Sequence, residues 1–391
     1  MLALLHRRRY RDLTPGDDGV TVMIAAYNEE VGIRATLESV LREPLERLQV
    51  IVVDDGSTDR TPAIVQEMAR HDARITFMQQ ANAGKAEALN RALTAARYGV
   101  VVSVDADSVL EPGSLGWLAA HFADPRVGAV AGDVRVSGRP RLLTHFQYLE
   151  YMVGQHMEKR TQDMLGVVVV VPGAAGAYRT SLLRQLGGYS PDTLTEDMDL
   201  TVAVAAAGFQ VRFEPRALSH TEPPVYLRYL WRQRLRWMYG TFQVMAKYRR
   251  LVFNPRAGRL GFLALPYVLF YGLMLGVVGP LFDLTVLLLA FQLSVLELIV
   301  PVLLNIGADL AVALLSLWLG RGSYRGLGWV PFQRLFLRPF TAVVVVMTAA
   351  SLLGRRRVGW NKLPRLGVQV AGEGRLELTP QPDLTASQGA A

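Results

Sequence analysis

Apolar and polar positions divide the chain into two parts with different patterns. Before about residue 259, short apolar runs alternate with charged loops, and helical spacing follows several runs, as at Ile33, Leu37 and Leu41. Strands that alternate with helices predict a mostly parallel sheet with right-handed crossovers. From Leu260 to Leu353 the chain carries few charges. The pattern therefore predicts an α/β domain followed by an apolar helical region.

Four stretches of the apolar region approach the roughly 20 residues that cross the hydrocarbon core of a bilayer. They are Leu260–Gly279, Leu281–Leu304, Asn305–Leu319 and Phe332–Leu353. The third stretch is short, and Arg334 and Arg338 interrupt the fourth, so we predict three or four membrane helices. Glu297 and Asp309 lie inside apolar stretches, where a charge often faces a polar path or a partner.

Basic residues cluster on both sides of the apolar region, and the formal net charge is +8. They are Lys247, Arg249, Arg250, Arg256 and Arg259 before it and Arg355, Arg356 and Arg357 after it. This distribution is typical of cytoplasmic flanks in a membrane protein and does not favour a nucleic-acid partner. If both flanks are cytoplasmic, the number of crossings is even. Four helices would then place the basic loop Arg321–Arg325 outside, so the topology stays open.

These patterns predict four segments. They are a basic N-terminal segment over 1–19, an α/β domain with interfacial helices over 20–255, a transmembrane region over 256–354, and a cytoplasmic basic segment with a flexible tail over 355–391. The first apolar residues are too few for a signal peptide or a membrane span. The chain has no cysteine, which excludes a disulfide framework.

Acidic residues follow the predicted strands at the edge of the sheet where ligands of parallel sheets bind. Asp105 and Asp107 follow a valine run, and side chains at i and i+2 of an extended segment point the same way, roughly 6–7 Å apart. Glu29 follows the first strand, and Asp54 and Asp55 follow the second. An isolated Asp there is usually a turn former, but three clusters at one edge predict a site. Neither a G-x-G-x-x-G nor a P-loop motif is present, so a bound diphosphate would need a metal ion.

The order of six motifs resembles that of a known enzyme family. The motifs are "AAYNEE", "VDDGSTDRT", "NAGKAEALN", "VDADS", "TED" and "QRLRW", and they extend from about Thr21 to Trp237. They resemble the family-2 inverting glycosyltransferases, in particular the processive membrane-integrated branch with hyaluronan, chitin, cellulose and poly-N-acetylglucosamine synthases. The resemblance implies a GT-A-like nucleotide-diphospho-sugar transferase domain, a UDP-sugar donor and a Mg²⁺ or Mn²⁺ cofactor.

The resemblance also implies roles for individual residues. Nucleotide and donor contacts fall on Tyr27, Glu29, Asp54, Asp55, Lys85 and Asp105, metal binding on Asp107 with Asp105 beside it, and catalysis on Asp197 as general base with Glu196 beside it. Acidic residues in a first helical turn are also common because they complement the helix dipole. Lys85 would be equally ordinary as a surface lysine.

A second group of residues is implied for the acceptor and the nucleotide. Gln233, Arg236 and Trp237 share one helix face and match the Q-x-x-R-W motif that binds acceptor and pyrophosphate, although a basic aromatic helix also suits a membrane surface. A segment with Trp360, Lys362 and Arg365 is implied to close over the nucleotide. A basic juxtamembrane contact with anionic lipid is the alternative for this segment.

Together these features favour a processive synthase in a bacterial-type plasma membrane, multi-pass and with its catalytic domain in the cytoplasm. We expect it to add a sugar, with N-acetylglucosamine preferred by resemblance, to a growing β-linked exopolysaccharide. The alternatives are transfer of one sugar to a lipid carrier and a non-catalytic scaffold or transport subunit. The sequence shows no helices ahead of the α/β domain, unlike in polymer-exporting relatives, so we expect export to need a partner subunit, an oligomer or an upstream helix that the sequence does not include.

Overall fold

The computed structural model describes residues 1–10, 13–14, 16, 19–137, 141–273, 277–289, 292, 294–354, 368–371 and 375–378. The segment predicted to close over the nucleotide, with Trp360, Lys362 and Arg365, lies outside the described residues. The roles proposed for these three residues therefore stay predictions.

The described residues form a sheet domain followed by apolar helices. The strands are β1 Val20–Ala26, β2 Leu48–Asp54, β3 Ile75–Gln79, β4 Val100–Ser103, β5 Ser108–Leu110, β6 Val127–Val136, β7 Gly176–Arg179, β8 Gln210–Thr221, β9 Val368–Ala371 and β10 Arg375–Leu378. The α-helices are α1 Leu2–Arg9, α2 Ile33–Leu41, α3 Thr61–His71, α4 Lys85–Thr94, α5 Ser114–Ala120, α6 Leu142–Val153, α7 Arg160–Leu165, α8 Thr180–Gln185, α9 Glu196–Ala206, α10 Leu227–Lys247, α11 Leu265–Leu273, α12 Gly279–Leu289, α13 Val295–Gly320 and α14 Val330–Leu353. Two π-helical segments, Gly154–Lys159 and Leu260–Ala264, lead into α7 and α11.

Eight strands form one twisted sheet in the order β3-β2-β1-β4-β7-β6-β8-β5. The pairs β1–β2, β2–β3, β1–β4 and β6–β8 are parallel, whereas β7 is antiparallel to both β4 and β6, and β5 is antiparallel to β8. The predicted α/β fold with a mostly parallel sheet is therefore confirmed.

The central strands are apolar at nearly every position because helices cover both faces of the sheet. Val22 and Ile24 of β1 pack into the core with α2 on one face, whereas Met23 packs with Leu89 of α4 on the other. Ala26 of β1 aligns with Asp54 of β2 in the parallel register. This register brings the polar residues that follow the strands to one edge of the sheet.

Two helices of the apolar region are long and apolar enough to cross a membrane, Val295–Gly320 and Leu327–Leu352. A shorter apolar helix covers Leu260–Gly272. The predicted break between Leu304 and Asn305 is wrong, because α13 continues through both residues. The polar side chain of Asn305 donates to the Pro301 carbonyl oxygen within the helix (2.9 Å), which satisfies it without a break.

The charges predicted inside apolar stretches have partners. Asp309 of α13 pairs with Arg334 of α14 at 3.0 Å and with Arg338 at 3.4 Å. Glu297 forms a capping box with Ser294 at the start of α13, a common way to satisfy the first amides of a helix. Asp309 thus joins α13 to α14, and Glu297 caps α13, so neither charge interrupts its helix.

The basic loop Arg321–Arg325 lies against the sheet domain. Arg135 donates to the carbonyl oxygen of Gly320 at 2.8 Å, and the backbone amide of Ser323 donates to the hydroxyl of Tyr148 at 2.8 Å. The four-helix arrangement that places this loop on the far side of a membrane is therefore wrong. The last carbonyl oxygens of α13 need donors, and the sheet domain supplies them.

We expect Gly132→Ala to destabilise the sheet domain. An added Cβ would lie 2.8 Å from the Ala175 Cβ and 2.9 Å from the Ala217 carbonyl oxygen, and backbone atoms cannot move away easily. Overpacking of this kind costs about 1–3 kcal/mol of unfolding free energy. The measurement is the thermal unfolding midpoint, with Gly99→Ala as control because its Cβ would meet nothing within 4 Å. Equal midpoints for the two variants would contradict the packing argument.

Candidate active site

A cavity of about 380 Å³ lies at the carboxyl edge of the sheet. It brings together residues that are more than 150 positions apart in the chain. Eight of the predicted site residues line it: Lys85, Asp105, Asp107, Glu196, Asp197, Gln233, Arg236 and Trp237. We call this space the active cavity.

The first turn of α9 supplies the two carboxylates on one wall. Thr195 is the N-cap, and Glu196 and Asp197 are the first two helical residues. Burial raises the pKa of Asp197 to about 6, the charge of Glu196 adds to this rise, and the charges of Lys85 and Arg236 oppose it. Asp197 is therefore mostly ionised at pH 7, with a proton affinity that suits a general base.

Lys85 connects the two acidic walls of the active cavity. Its Nζ lies 2.6 Å from Asp105 Oδ1 and 3.0 Å from Glu196 Oε1. Burial alone would lower the pKa of Lys85, but the charges of Asp105 and Glu196 raise it well above its ordinary value. Lys85 therefore stays protonated, and its charge offsets part of the repulsion between the carboxylates.

Asp55 holds the backbone segment that leads into Lys85. Asp55 accepts hydrogen bonds from the amides of Ala83 and Gly84 at 2.8 and 2.9 Å. Gly84 has φ +94°, a conformation that favours glycine, and α4 begins at the next residue. Asp55 thus acts in this structure as a positioning residue for Lys85.

The opposite side of Lys85 is formed by the backbone of Gly173. A Cβ at this position would lie 2.5 Å from Lys85 Nζ and 3.2 Å from Asp105 Oδ1. A side chain at this position would therefore require the Lys85 ammonium to move. The loop residues Pro172, Gly173 and Ala174 line the active cavity.

The residues after β1 and β2 occupy the neighbouring part of the same edge. Tyr27, Glu29, Asp54 and Asp55 are not among the described residues that line the active cavity. Asp54 is buried and accepts from Gln79 Nε2 at 3.3 Å, and the amide of Glu29 donates to Thr61 Oγ1 at 2.7 Å. Their predicted contacts with uracil and ribose stay predictions.

Helix α10 presents its predicted face to the active cavity. It approaches the N-cap of α9 closely, since a Cβ at Gly240 would lie 2.6 Å from Thr195. Arg236 lies 3.5 Å from the Leu194 carbonyl oxygen, and Trp237 lies 4.6 Å from the guanidinium of Arg234. The buried Oε1 of Gln233 has no hydrogen-bond partner among the described residues.

The sequence analysis missed several cavity residues, among them Tyr151 of α6, Gln155 of the π-helical turn and Glu222 after β8. Gln155 is buried, and its Oε1 has no hydrogen-bond partner within the part of the chain that the structure describes. π-Helical turns often occur at functional sites because they redirect side chains. No local pattern distinguishes this turn from the helix around it, and only the tertiary structure reveals its side chains in the active cavity.

The donor set in the active cavity fits a divalent metal ion that arrives with its substrate. No group of three or more His, Cys, Asp or Glu side chains able to hold a metal occurs among the described residues. Asp105 and Asp107 offer two carboxylates at the cavity wall. Mg²⁺ and Mn²⁺ accept oxygen ligands and commonly complete their shell with substrate phosphates and water.

A GT-A-like sheet with a D-x-D pair and a helix-borne carboxylate at its carboxyl edge defines the class of nucleotide-sugar glycosyltransferases. Residues 15–240 match the sequence model of the family described as "Glycosyltransferase like family 2", and the chain belongs to this family. The chain is therefore a glycosyltransferase, and the non-catalytic scaffold alternative loses its support.

Curated relatives and a solved structure agree with this assignment. The chain is 31% identical over 231 residues to the poly-beta-1,6-N-acetyl-D-glucosamine synthase of Staphylococcus aureus (strain COL) and 31% identical over 232 residues to that of Staphylococcus epidermidis. Each match covers 59% of this chain and 56% of the relative, so the chain spans about half the length of these relatives.

The solved structure is the mannosyltransferase PcManGT from Pyrobaculum calidifontis in complex with GDP-Man and Mn²⁺. It matches with a TM-score of 0.58 and 23% identity, over 91% of this chain and 96% of that chain. At this identity the match supports the shared fold.

We expect Lys85→Met to raise the pKa of Asp197 further above 6, because the substitution removes the largest opposing charge. With a higher pKa, Asp197 becomes protonated at a higher pH and then cannot act as a base. The acid limb of the pH–rate profile should therefore shift to higher pH. The measurement is nucleotide release from a sugar nucleotide as a function of pH.

The control for this prediction is Lys247→Met, which removes a lysine that also pairs with a carboxylate of α9, Asp199 at 2.7 Å. Lys247 does not line the active cavity in the described structure. Its profile should keep the wild-type acid limb, and an equal shift in both variants would show that Lys85 has no specific effect on Asp197.

Proposed function

We propose that this chain is a membrane-bound inverting glycosyltransferase that transfers a sugar from a UDP-sugar to a growing β-linked exopolysaccharide. The observation that carries the proposal is the meeting of three groups in one cavity: the Asp105 and Asp107 pair, the Asp197 carboxylate, and the Gln233, Arg236 and Trp237 face. The 31% identity to poly-beta-1,6-N-acetyl-D-glucosamine synthases supports N-acetylglucosamine as the sugar.

The chemistry of the proposed reaction requires one base and one stabilised leaving group. Asp197 accepts the proton of the acceptor hydroxyl as the oxygen attacks the anomeric carbon from the side opposite the nucleotide, which inverts the configuration. Asp105 and Asp107 would hold a divalent ion, which when bound would supply positive charge to stabilise the departing diphosphate. A single displacement of this kind needs no second catalytic carboxylate of the sort that glycoside hydrolases use.

Positive side chains around the active cavity suit a diphosphate. Arg236 presents a guanidinium, which can bind two phosphate oxygens at once, and Lys85 presents an ammonium group. Trp237 offers an aromatic surface against which a sugar ring can pack. These side chains hold donor and acceptor so that the attacking oxygen lies near Asp197.

The apolar helices support a multi-pass membrane location with a cytoplasmic catalytic domain. Helices α13 and α14 have the length and composition of membrane spans, and α10 packs beside α14, with Trp231 and Phe340 in edge contact at 5.8 Å. The aromatic and basic composition of α10 suits a membrane surface. Export through the helices, with a partner subunit or an oligomer, remains part of this proposal.

Transfer of one sugar to a lipid carrier is the second candidate, and a specific cavity favours it. A space of about 530 Å³ between α6, α13 and α14 shares Tyr151, Gln155 and Val170 with the active cavity. Its wall combines apolar residues with Arg334 and Arg338. The apolar part of this wall suits the alkyl chain of a lipid-linked acceptor.

We expect the purified protein to release UDP from UDP-N-acetylglucosamine in the presence of Mg²⁺ or Mn²⁺. Asp197→Asn should reduce the rate by about 10²–10⁴-fold, the usual contribution of a general base. The measurement is UDP release across a panel of UDP-sugars, with Asp192→Asn as control because Asp192 is exposed and outside the active cavity.

Product size then separates the two candidates. A long polymer made from one donor supports the exopolysaccharide synthase, and a single-sugar product that requires a lipid acceptor supports the second candidate. Absence of metal-dependent UDP release with every donor tested would contradict both.

We expect Gln155→Leu to impair use of the acceptor while leaving donor binding intact, because Gln155 lies between the active cavity and the space beside α13. The variant should raise the apparent KM for acceptor or shorten the product, with little change in the KM for UDP-sugar. Gln147→Leu is the matched control, since Gln147 is also buried but lines neither of the two spaces in the described structure. A change confined to the donor KM would refute this role.

A further inference from the structure

A third cavity, of about 450 Å³, lies apart from the active cavity and shares none of its described lining residues. It is formed where the N-terminal helix α1, the strands β6 and β8, the π-helical turn and the end of α13 meet. Basic side chains characterise it: His6, Arg135, His156, Arg160, Arg216 and Arg321. We call this space the basic cavity.

Positive charge exceeds negative charge on the wall of the basic cavity. Four arginines line it, whereas Glu214 is the one carboxylate among its described lining residues. Glu214 pairs with Arg216 at 2.7 Å, and Asp133 behind the wall pairs with Arg135 at 3.0 Å. Arg321 makes no side-chain hydrogen bond or ion pair to the described residues and therefore supplies an uncompensated charge at the mouth of the cavity.

A buried polar atom in the basic cavity also lacks a partner. The Nε2 of His6 is hydrogen-bonded to Asp163 Oδ2 at 2.9 Å, and the His6 ring is almost completely buried. Its Nδ1 has no hydrogen-bond partner among the described residues. Buried polar atoms are nearly always paired, so the unpaired Nδ1 of this lining residue is an unsatisfied polar group in the wall of the basic cavity.

The backbone conformation at Arg321 is unusual for an arginine. Arg321 is the C-cap of α13 with φ 52° and ψ 35°, a left-handed conformation that favours glycine. Glycine occurs on both sides, at 320 and 322, but not at this position. Glycine at this position would avoid the strain of the left-handed conformation. The chain instead has an arginine here, whose long side chain carries a positive charge.

The position of the basic cavity points to the source of a ligand. Leu319 and Gly320 line it, and they are the last residues of α13, one of the two helices with the length and composition of a membrane span. If α13 crosses a bilayer, the cavity lies where the hydrocarbon ends and lipid headgroups begin. Arginine side chains bind phosphate oxygens through two parallel N–H donors.

We propose that the basic cavity binds a phosphate ester and thereby holds the end of α13, the N-terminal helix and the catalytic sheet together. The headgroup of an anionic membrane lipid is the source that the position favours, and a soluble phosphate ester is the other source of the same chemistry. The site is independent of the donor diphosphate, because the active cavity lies elsewhere on the domain.

The test compares Arg321→Gln with Arg325→Gln in the full chain. Both residues are exposed in the same loop and both substitutions remove one positive charge, but Arg325 does not line the basic cavity in the described structure. The thermal unfolding midpoint is measured in detergent at constant ionic strength with increasing glycerol 1-phosphate, and in phosphatidylcholine nanodiscs with increasing phosphatidic acid. A ligand that binds the folded state raises the midpoint in a saturable way.

We expect wild type and Arg325→Gln to show the same saturable rise, and Arg321→Gln to need about tenfold more ligand for half of it. A rise with phosphatidic acid alone assigns the site to lipid headgroups, and a rise with both probes assigns it to phosphate esters in general. Binding of either probe in the active cavity would affect the two variants equally. An equal response of both variants, or no saturable rise with either probe, would overturn the proposal.

Discussion

The ion pair of Lys85 with Asp105 and Glu196 is the interaction on which the rest of the site depends. Five carboxylates of the described residues line the active cavity, and the half-buried ammonium of Lys85 between Asp105 and Glu196 offsets part of their repulsion. Lys85 reaches both walls because Asp55 binds the two amides before α4 and because Gly173 has no side chain. The local backbone is thus arranged around one ammonium group.

This arrangement also determines the protonation of the proposed base. Asp197 is buried next to Glu196, which by itself would favour a protonated carboxylic acid at neutral pH. Lys85 and Arg236 oppose that tendency, so Asp197 has a raised pKa and still loses its proton near neutrality. Lys85 and Arg236 offset the negative charge of the carboxylates before substrate binds. The same two side chains carry the positive charge that suits a diphosphate.

The apolar helices are joined to the catalytic domain through polar contacts as well as through packing. Arg135 binds the last carbonyl oxygen of α13, and Asp309 joins α13 to the two arginines of α14. Helix α6 and its π-helical turn then contact both the active cavity and the space beside α13. The structure therefore offers a direct physical route by which the helices and the acceptor side of the site influence each other.

Local sequence determined the strands, the carboxyl-edge acidic pairs and the i, i+3, i+4 face of α10, because period and spacing are properties of short segments. It also placed Asp197 in a first helical turn. It did not determine that Asp55 would support Lys85 or that Gln155 would enter the cavity, since both depend on segments distant in the chain. The break predicted at Asn305 was wrong for the same reason, and the side of the helices on which Arg321–Arg325 lies had stayed open. Asp309 pairs with Arg334 and Arg338, and Arg135 binds the Gly320 carbonyl oxygen, and only the tertiary structure brings these distant partners together.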